Sequence, residues 1–345
     1  MAPDPMNRDV ARVILTSRPK GRLHRRHFAV DHAPMPKVGD GDVLVRNIYS
    51  SVEPYLRILL ERDTGHSKRF PIGDVIPARV VGEVVESRHP DHDVGDFVLG
   101  MLNWESFSLV KGGSGLRPVD ASLAPLSYYL GVLGTTGLTA YIGMLDYGAP
   151  VADETVYVSA AAGAVGHLAG QLAKMRGARV IGSTGSDDKV AFLRDLGFDG
   201  AFNYKTAPSI ADALAETCPD GIDLDFENVG GANLEAVLDR INEGARIVLC
   251  GLVSQYGESR PHGVRNLEQL QFNRARMVGF SVRDHMERLP PYVAEMSGWL
   301  REGRIRYHEN IVSGLEHAPD ALIDLFAGRN IGKQILQIGE DPARA

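Results

Sequence analysis

The sequence predicts an α/β fold: a doubly wound parallel sheet in the middle of the chain, set into a smaller β-rich domain. Three observations lead there. Between about residues 131 and 304, apolar strands alternate with amphipathic helices (TVYVSA, helix, ARVIGS, helix, GAFNY, helix, GIDLDFENV, helix, RIVLCG), the pattern of right-handed βαβ crossovers. Before about residue 125, the runs ARVIL, DVLVRNIYSSV, VIPARVVGEVV and DFVLGML are separated by Gly, Pro, Asp and His clusters, which read as short strands and turns. After the helix near PPYVAEMSGWLREGR, the apolar runs ENIVSG and GKQILQIG flank a helix at HAPDALIDLFAG, so the C-terminal segment is expected to rejoin the first domain. The expected boundaries are 1–130 plus 305–345 for the β-rich domain and 131–304 for the doubly wound one.

Composition narrows the function classes. A chain of 345 residues, 44% of them hydrophobic, can build about two domains, each with its own core. Its 37 basic and 44 acidic residues are interspersed, with a net charge of -7, so no global field recruits nucleic acid or an anionic membrane. Only Cys218 and Cys250 are present, with no C-x-x-C spacing, which excludes a disulfide scaffold and a cysteine zinc cluster. The N-terminal stretch has no apolar signal core, and no later run has membrane-spanning length. The expectation is a cytoplasmic protein.

The stretch VYVSAAAGAVGHLAGQLAK reads as a strand, a glycine turn and a helix. Aligned on the G-x-G-x-x-G fingerprint, Ala161 takes the first glycine position and Gly163 and Gly166 the other two. Alanine suits that position if its φ is negative. Gly163 would let the backbone, with Ala164 and Val165, approach a pyrophosphate at the helix N-terminus. The helix itself carries an apolar stripe of Val165, Leu168, Leu172 and Met175 beside an expected polar stripe of His167, Gln171 and Lys174.

At the end of the second strand, where a loop for NAD places an acid against the adenine ribose, this chain has Thr184 and Gly185. Asp187 and Asp188 come later and suit the first turn of the next helix. Lys189 follows, and Tyr204 ends the third strand. No carboxylate, a reachable lysine and a phenol describe a pocket for a 2′-phosphate, where one charged hydrogen bond is worth about 1.5–3 kcal/mol. NADPH is therefore favoured over NADH.

The ordered runs AAAGAVGHLAGQLAK, GSTGSDDKV, FNYK, ENVGG, CGLVSQY and GRNIGK, with SVEPYLR, VVESRHPDHDVGD and PLSYYLGVLGTTGLTAY in the first block, resemble the zinc-free NADPH-dependent double-bond reductases of the medium-chain dehydrogenase/reductase superfamily. The resemblance spans nearly the whole chain. It implies a Rossmann domain inserted in a GroES-like β domain, a cleft where NADPH meets a small apolar enone or enal, and a homodimer. It also implies that Gly163 to Gly166 hold the pyrophosphate and that Gly185, Lys189 and Tyr204 surround the adenosine phosphate. By the same resemblance Asn228, Cys250, Phe280, Ser281, Val282 and Asn330 line the rest of the cofactor, and Pro54 and Tyr55 approach the nicotinamide. Thr135 and Thr136 stand where relatives carry Met-Pro, and Arg283 where relatives carry a small or apolar residue, so these positions bear on substrate preference.

Reducing a double bond conjugated to a carbonyl requires a hydride donor and a group that stabilises charge developing on oxygen. Tyr256, in the CGLVSQY turn, is the candidate enolate stabiliser or proton donor, and Tyr55 the second candidate. Related scaffolds also reduce quinones, and a non-catalytic NADPH-binding protein could keep the same fold. The string His89, Asp91, His92 and Asp93 reads as a surface turn, and no metal site is expected. Asp223, Asp225 and Glu227 alternate with Ile222, Leu224 and Phe226 as sheet patterning, and RLHRRH at 22–27 as a solvated cluster.

Overall fold

The computed structural model describes residues 9–65, 67–258 and 260–344. Residues 1–8, which open the N-terminal stretch read above, lie outside them. In chain order the strands are β1 (Val10–Leu15), β2 (Phe28–Ala33), β3 (Val43–Ser51), β4 (Pro77–Ser87), β5 (Phe97–Asn103), β6 (Phe107–Val110), β7 (Arg117–Pro118), β8 (Thr155–Val158), β9 (Arg179–Thr184), β10 (Gly200–Asn203), β11 (Ile222–Glu227), β12 (Ile241–Leu249), β13 (Arg276–Gly279), β14 (Glu309–Ser313) and β15 (Lys333–Gln337). The helices are α1 (Tyr55–Glu61), α2 (Thr135–Tyr141), α3 (Gly166–Met175), α4 (Asp187–Asp195), α5 (Ile210–Thr217), α6 (Ala232–Leu238), α7 (Glu268–Phe272), α8 (Leu289–Arg301) and α9 (Ala318–Phe326).

The described parts of Met1–Gly131 and Gln334–Ala345, with Asn310–Asn330, form one compact unit; Val132–Glu309 with Ile331–Lys333 form another. In the first unit, a seven-stranded sheet runs β14-β15-β3-β4-β5-β7, with β6 paired to β3. The pairings of β3 with β4, β6 and β15, and of β5 with β4 and β7, are antiparallel. Val13, Leu60, Ile76, Val80, Trp104 and Leu336 fill its core. RLHRRH is mostly exposed, as expected of a solvated cluster, but Leu23 and His27 turn inward and are buried.

In the second unit, six strands run β10-β9-β8-β11-β12-β13, and all five pairings are parallel. This is the Rossmann order, whose strand sequence reverses between β8 and β11; ligands of such sheets lie beyond the carboxyl ends of the strands at that reversal. Both faces of the sheet are covered, so β11 does not alternate between core and solvent: Leu224, Phe226, Asp225 and Glu227 are all fully buried. Of the three acids read above as sheet alternation, Asp225 and Glu227 are thus interior carboxyls, while Asp223 is half-buried. Among the described residues, no helix is long and apolar enough to cross a membrane.

Helix α3 reaches the sheet because it carries glycine where a side chain would collide. A Cβ on Gly170 would lie 2.0 Å from Cζ of buried Phe198, and one on Gly166 2.7 Å from the Ala160 carbonyl oxygen. We predict that Gly170→Ala destabilises the fold by about 1–3 kcal/mol through overpacking against Phe198, read as a lowered denaturant midpoint at unchanged slope.

Candidate functional site

The turn after β8 differs in one detail from the glycine fingerprint. The left-handed residue is Ala160, at φ 46°, one position before the residue aligned with the first glycine. Ala161 keeps a negative φ, is fully buried, and donates its amide to the Ser183 carbonyl at 2.9 Å. An alanine there is therefore unstrained. Gly163 closes the turn on the Ala160 carbonyl at 2.9 Å and bridges to Gly332 of the same unit. The amides of Ala164, Val165 and Gly166 have no acceptor among the described residues. They stand at the first turn of α3, where the helix dipole is positive. That arrangement fits a pyrophosphate.

The expected polar stripe of α3 is not solvent-facing: His167 and Gln171 are buried, and only Lys174 reaches the surface, where it pairs with Asp199 at 2.8 Å. Gln171 is held by the residues that follow α8, donating to the Arg306 carbonyl and accepting from the Arg306 amide at 2.9 and 2.8 Å. His167 Nδ1 lies 2.7 Å from the Gly163 carbonyl oxygen, and its ring stacks on Tyr307 with centroids 5.7 Å apart. Because a carbonyl only accepts, the proton is on Nδ1, and Nε2 is left buried with no partner among the described residues. Burial pushes the imidazole down to about 4, with nearby His308 acting in the same direction, so His167 is neutral and pins the phosphate turn from beneath.

At the carboxyl ends of β9 and β10, Gly185 leaves room for a ligand. A Cβ placed on it would stand 3.1 Å from the Tyr204 hydroxyl and 3.3 Å from Lys205 Nζ. Lys189 is buried in the first turn of α4; burial lowers its ammonium pKa, and the Lys205 charge lowers it further. Asp187, the acid next in sequence, is engaged by Asn203 at 2.8 Å. Two lysines and a phenol around a glycine can hold a phosphate dianion, whose charge would relieve their repulsion. Lys205 was missed from sequence; its signal was its place directly after Tyr204 in AFNYK.

At the switch point, the ends of β11 and β12 bring Asn228, Cys250 and Tyr256 together. A Cβ on Gly251 would be 3.4 Å from the Asn228 carbonyl oxygen and 3.7 Å from the Tyr256 hydroxyl. Tyr256 is half-buried, and its hydroxyl accepts the Leu252 amide at 3.4 Å. Burial raises its pKa, with Cys250 adding to the effect, so the phenol keeps its proton and can donate it or share it. Cys250 is half-buried as a residue, yet burial of its thiol and the Glu227 carboxylate push its pKa up to about 12, which makes it an inert thiol. Beside Asn228 lie Ser159, which the sequence reading did not name, and Glu227, which it read as sheet patterning.

The other candidates in this unit are Phe280, Ser281, Val282, Arg283, Thr135 and Thr136. Phe280 stacks on Tyr147 at 5.1 Å, followed by exposed Ser281 and half-buried Val282; Arg283 is exposed, its amide on the Ser281 hydroxyl at 3.3 Å. Thr135 is buried and Thr136 half-buried at the start of α2. Pro54, Tyr55 and Asn330 belong to the other unit. There Pro54 caps α1, the Tyr55 hydroxyl donates to Ser67 at 2.8 Å, and Asn330 is buried. In the H-x-D-H-D turn, His89 Nδ1 accepts the Asp91 amide at 3.1 Å. Among the described residues, no group of three or more His, Cys, Asp or Glu side chains could hold a metal ion.

Residues 11–119 match a family described as the N-terminal domain of oxidoreductase, and residues 164–298 one described as zinc-binding dehydrogenase. The chain is 44% identical over 305 residues to the NADP-dependent 2-alkenal reductase of Nicotiana tabacum, covering 88% of this chain and 89% of that one. It is 39% identical over 337 residues to the NADPH-dependent curcumin reductase of Escherichia coli, covering 96% and 97%. The crystal structure of CurA from Vibrio vulnificus in complex with NADPH superposes with a TM-score of 0.90 at 38% identity, over 96% of this chain and all of that one. The second matched description names zinc, but the described residues supply no ligand set for it.

The histidine beneath the phosphate turn gives a pH test. An unfolded chain protonates His167 near its ordinary 6.5, whereas the folded chain resists down to about 4. Its contribution is therefore complete above pH 6.5 and is lost as pH falls towards 4, a loss of about 3 kcal/mol. We predict that His167→Gln flattens this part of the pH dependence of the denaturant midpoint; an unchanged slope would mean His167 is not held neutral.

Proposed function

The chain belongs to the NADPH-dependent double-bond reductases of the medium-chain dehydrogenase/reductase superfamily, and from that premise we propose that it reduces the carbon–carbon double bond of small, apolar α,β-unsaturated aldehydes or ketones. At the coarser level it is an NADPH-dependent reductase of the double-bond or quinone type. When bound, NADPH supplies the hydride. The turn at Gly163 to Gly166 binds the pyrophosphate with its three open amides. Gly185, Lys189, Tyr204 and Lys205 receive the 2′-phosphate, and no carboxylate among them repels it.

The observation that carries the reading is the Tyr256 hydroxyl, held in its protonated form beside Asn228 and Gly251 at the carboxyl ends of β11 and β12. Charge developing on a substrate carbonyl oxygen needs a preorganised donor, and a protonated phenol in a partly desolvated place is one. Comparable donors are worth about 2.7–4 kcal/mol. The same phenol can pass its proton to the enolate or share it in a hydrogen bond. Thr135, Thr136 and Arg283 are the positions proposed to tune substrate preference.

Two measurements test the reading. Purified protein with NADPH and a simple enal is expected to give the saturated aldehyde, and Tyr256→Phe to lower kcat about 10²–10³-fold. Formation of the allylic alcohol, or turnover of quinones with none of enals, would overturn the double-bond assignment. For the cofactor corner, Lys189→Ala and Lys205→Ala are each expected to raise KM for NADPH about 10- to 150-fold and leave KM for NADH nearly unchanged. Equal losses with both cofactors would remove the phosphate role.

A further inference from the structure

Directly beneath the candidate site, one interior carboxylate takes four hydrogen bonds. Glu227 is fully buried at the end of β11. Its Oε1 accepts the Ser159 hydroxyl at 2.6 Å, the Val229 amide at 2.5 Å and the Gly230 amide at 2.9 Å, while Oε2 accepts the Asn233 side-chain amide at 2.8 Å. The Ser159 oxygen in turn accepts the Asn228 backbone amide at 2.7 Å, and the Asn228 side-chain amide donates to the Ser159 carbonyl at 2.8 Å. Asn228 is thus fixed on two sides by groups that depend on Glu227.

The turn that carries Tyr256 hangs on the same backbone. The Glu227 carbonyl accepts the Cys250 and Gly251 amides at 2.9 and 3.0 Å, the Asn228 carbonyl the Val253 amide at 3.0 Å, and the Val229 carbonyl the Ser254 amide at 3.1 Å. From Asn233 the network runs on: its Oδ1 accepts the Tyr157 hydroxyl at 2.8 Å, which sits 2.6 Å from the Ser183 hydroxyl in β9. Asp225, two residues before Glu227, shows the contrast. It is equally buried, yet neither of its oxygens has a hydrogen-bond partner among the described residues. Of these two acids, Glu227 is the one that takes up the donors of the turn.

We propose that Glu227 is a positioning residue for the reaction: its carboxylate shapes the Glu227–Gly231 turn and thereby sets Asn228, and the Tyr256 turn bonded to it, in the geometry that receives the nicotinamide half of the cofactor. This rests on the NADPH reading above. Glu227 touches neither cofactor nor substrate and acts through Ser159 and the turn amides. Gln at this position keeps the size, but its NH2 faces either the two turn amides or the Asn233 amide, so one set of donors loses its acceptor.

The experiment measures NADPH and NADH dissociation constants by fluorescence titration, with kcat and KM, for the full chain and for Glu227→Gln, Ser159→Ala and the double variant. Glu227→Gln is expected to weaken both cofactors about 10-fold or more and by the same factor, because the 2′-phosphate corner is untouched. Ser159→Ala is expected to act in the same direction, and the double variant to fall short of the product of the two, because both act on one line of hydrogen bonds. Binding within two-fold of the parent in folded Glu227→Gln, or independent effects that simply multiply, would overturn the proposal. If Glu227→Gln does not fold, Ser159→Ala decides alone: unchanged binding overturns the proposal and 10-fold weaker binding supports it. A parent chain that does not bind NADPH would overturn the functional reading itself, whereas a binding parent with an indifferent Glu227→Gln overturns only this inference.

Discussion

A parallel sheet covered on both faces has no side for water, so each polar group inside it must find a partner or give up its charge. That constraint organises the second unit. Glu227 meets it with four donors drawn from the end of β8, its own turn and α6. Asp225, with no donor among the described residues, meets it the other way: burial, reinforced by Glu227, holds its carboxyl well above the usual carboxylate range, in the neutral form. Tyr157 and Ser183 satisfy each other across neighbouring strands. Because strand order reverses between β8 and β11, these bonds lie at the point where the crossovers part and the carboxyl ends of the strands stay open.

Two contrasting environments follow at that open end. Beyond β9 and β10, cations gather: burial and the Lys205 charge both lower the pKa of the Lys189 ammonium. Beyond β11 and β12, the surroundings are neutral or acidic: Tyr256 and Cys250 keep their protons, and Glu227 raises the thiol. One region is suited to a phosphate, the other to a group that gains negative charge only as it accepts hydride. His167 belongs to a third kind of environment, an apolar space where a neutral imidazole serves as a fixed hydrogen-bond donor to the phosphate turn.

Much of this was legible in the chain. Strand–helix alternation, the Gly163-to-Gly166 spacing and the missing acid at Thr184 depend on local periodicity and on residue chemistry, which sequence carries directly. The readings that changed share one cause. His167 and Gln171 read as a polar stripe, but helical periodicity says which residues share a face and not what covers that face; here the segment carrying Arg306 and Tyr307 covers it. Asp225 and Glu227 looked like strand alternation because period two is the same whether the second face meets water or helices. Ala161, read as suited to the turn if its φ were negative, keeps a negative φ; the left-handed residue is its neighbour Ala160, a position that no composition rule reveals.

The sequence by itself determined the class of fold, the strand–glycine turn–helix unit and the choice of NADPH, because each rests on residues close together in the chain or on the absence of one residue type. Only the tertiary structure decided that Lys205 joins Lys189 and Tyr204, and that Glu227 ties Ser159, Asn228, Asn233 and the Tyr256 turn together. Ser159 and Glu227 lie 68 positions apart. What unites them is the adjacency of β8 and β11, a property of strand order that no local stretch of sequence contains.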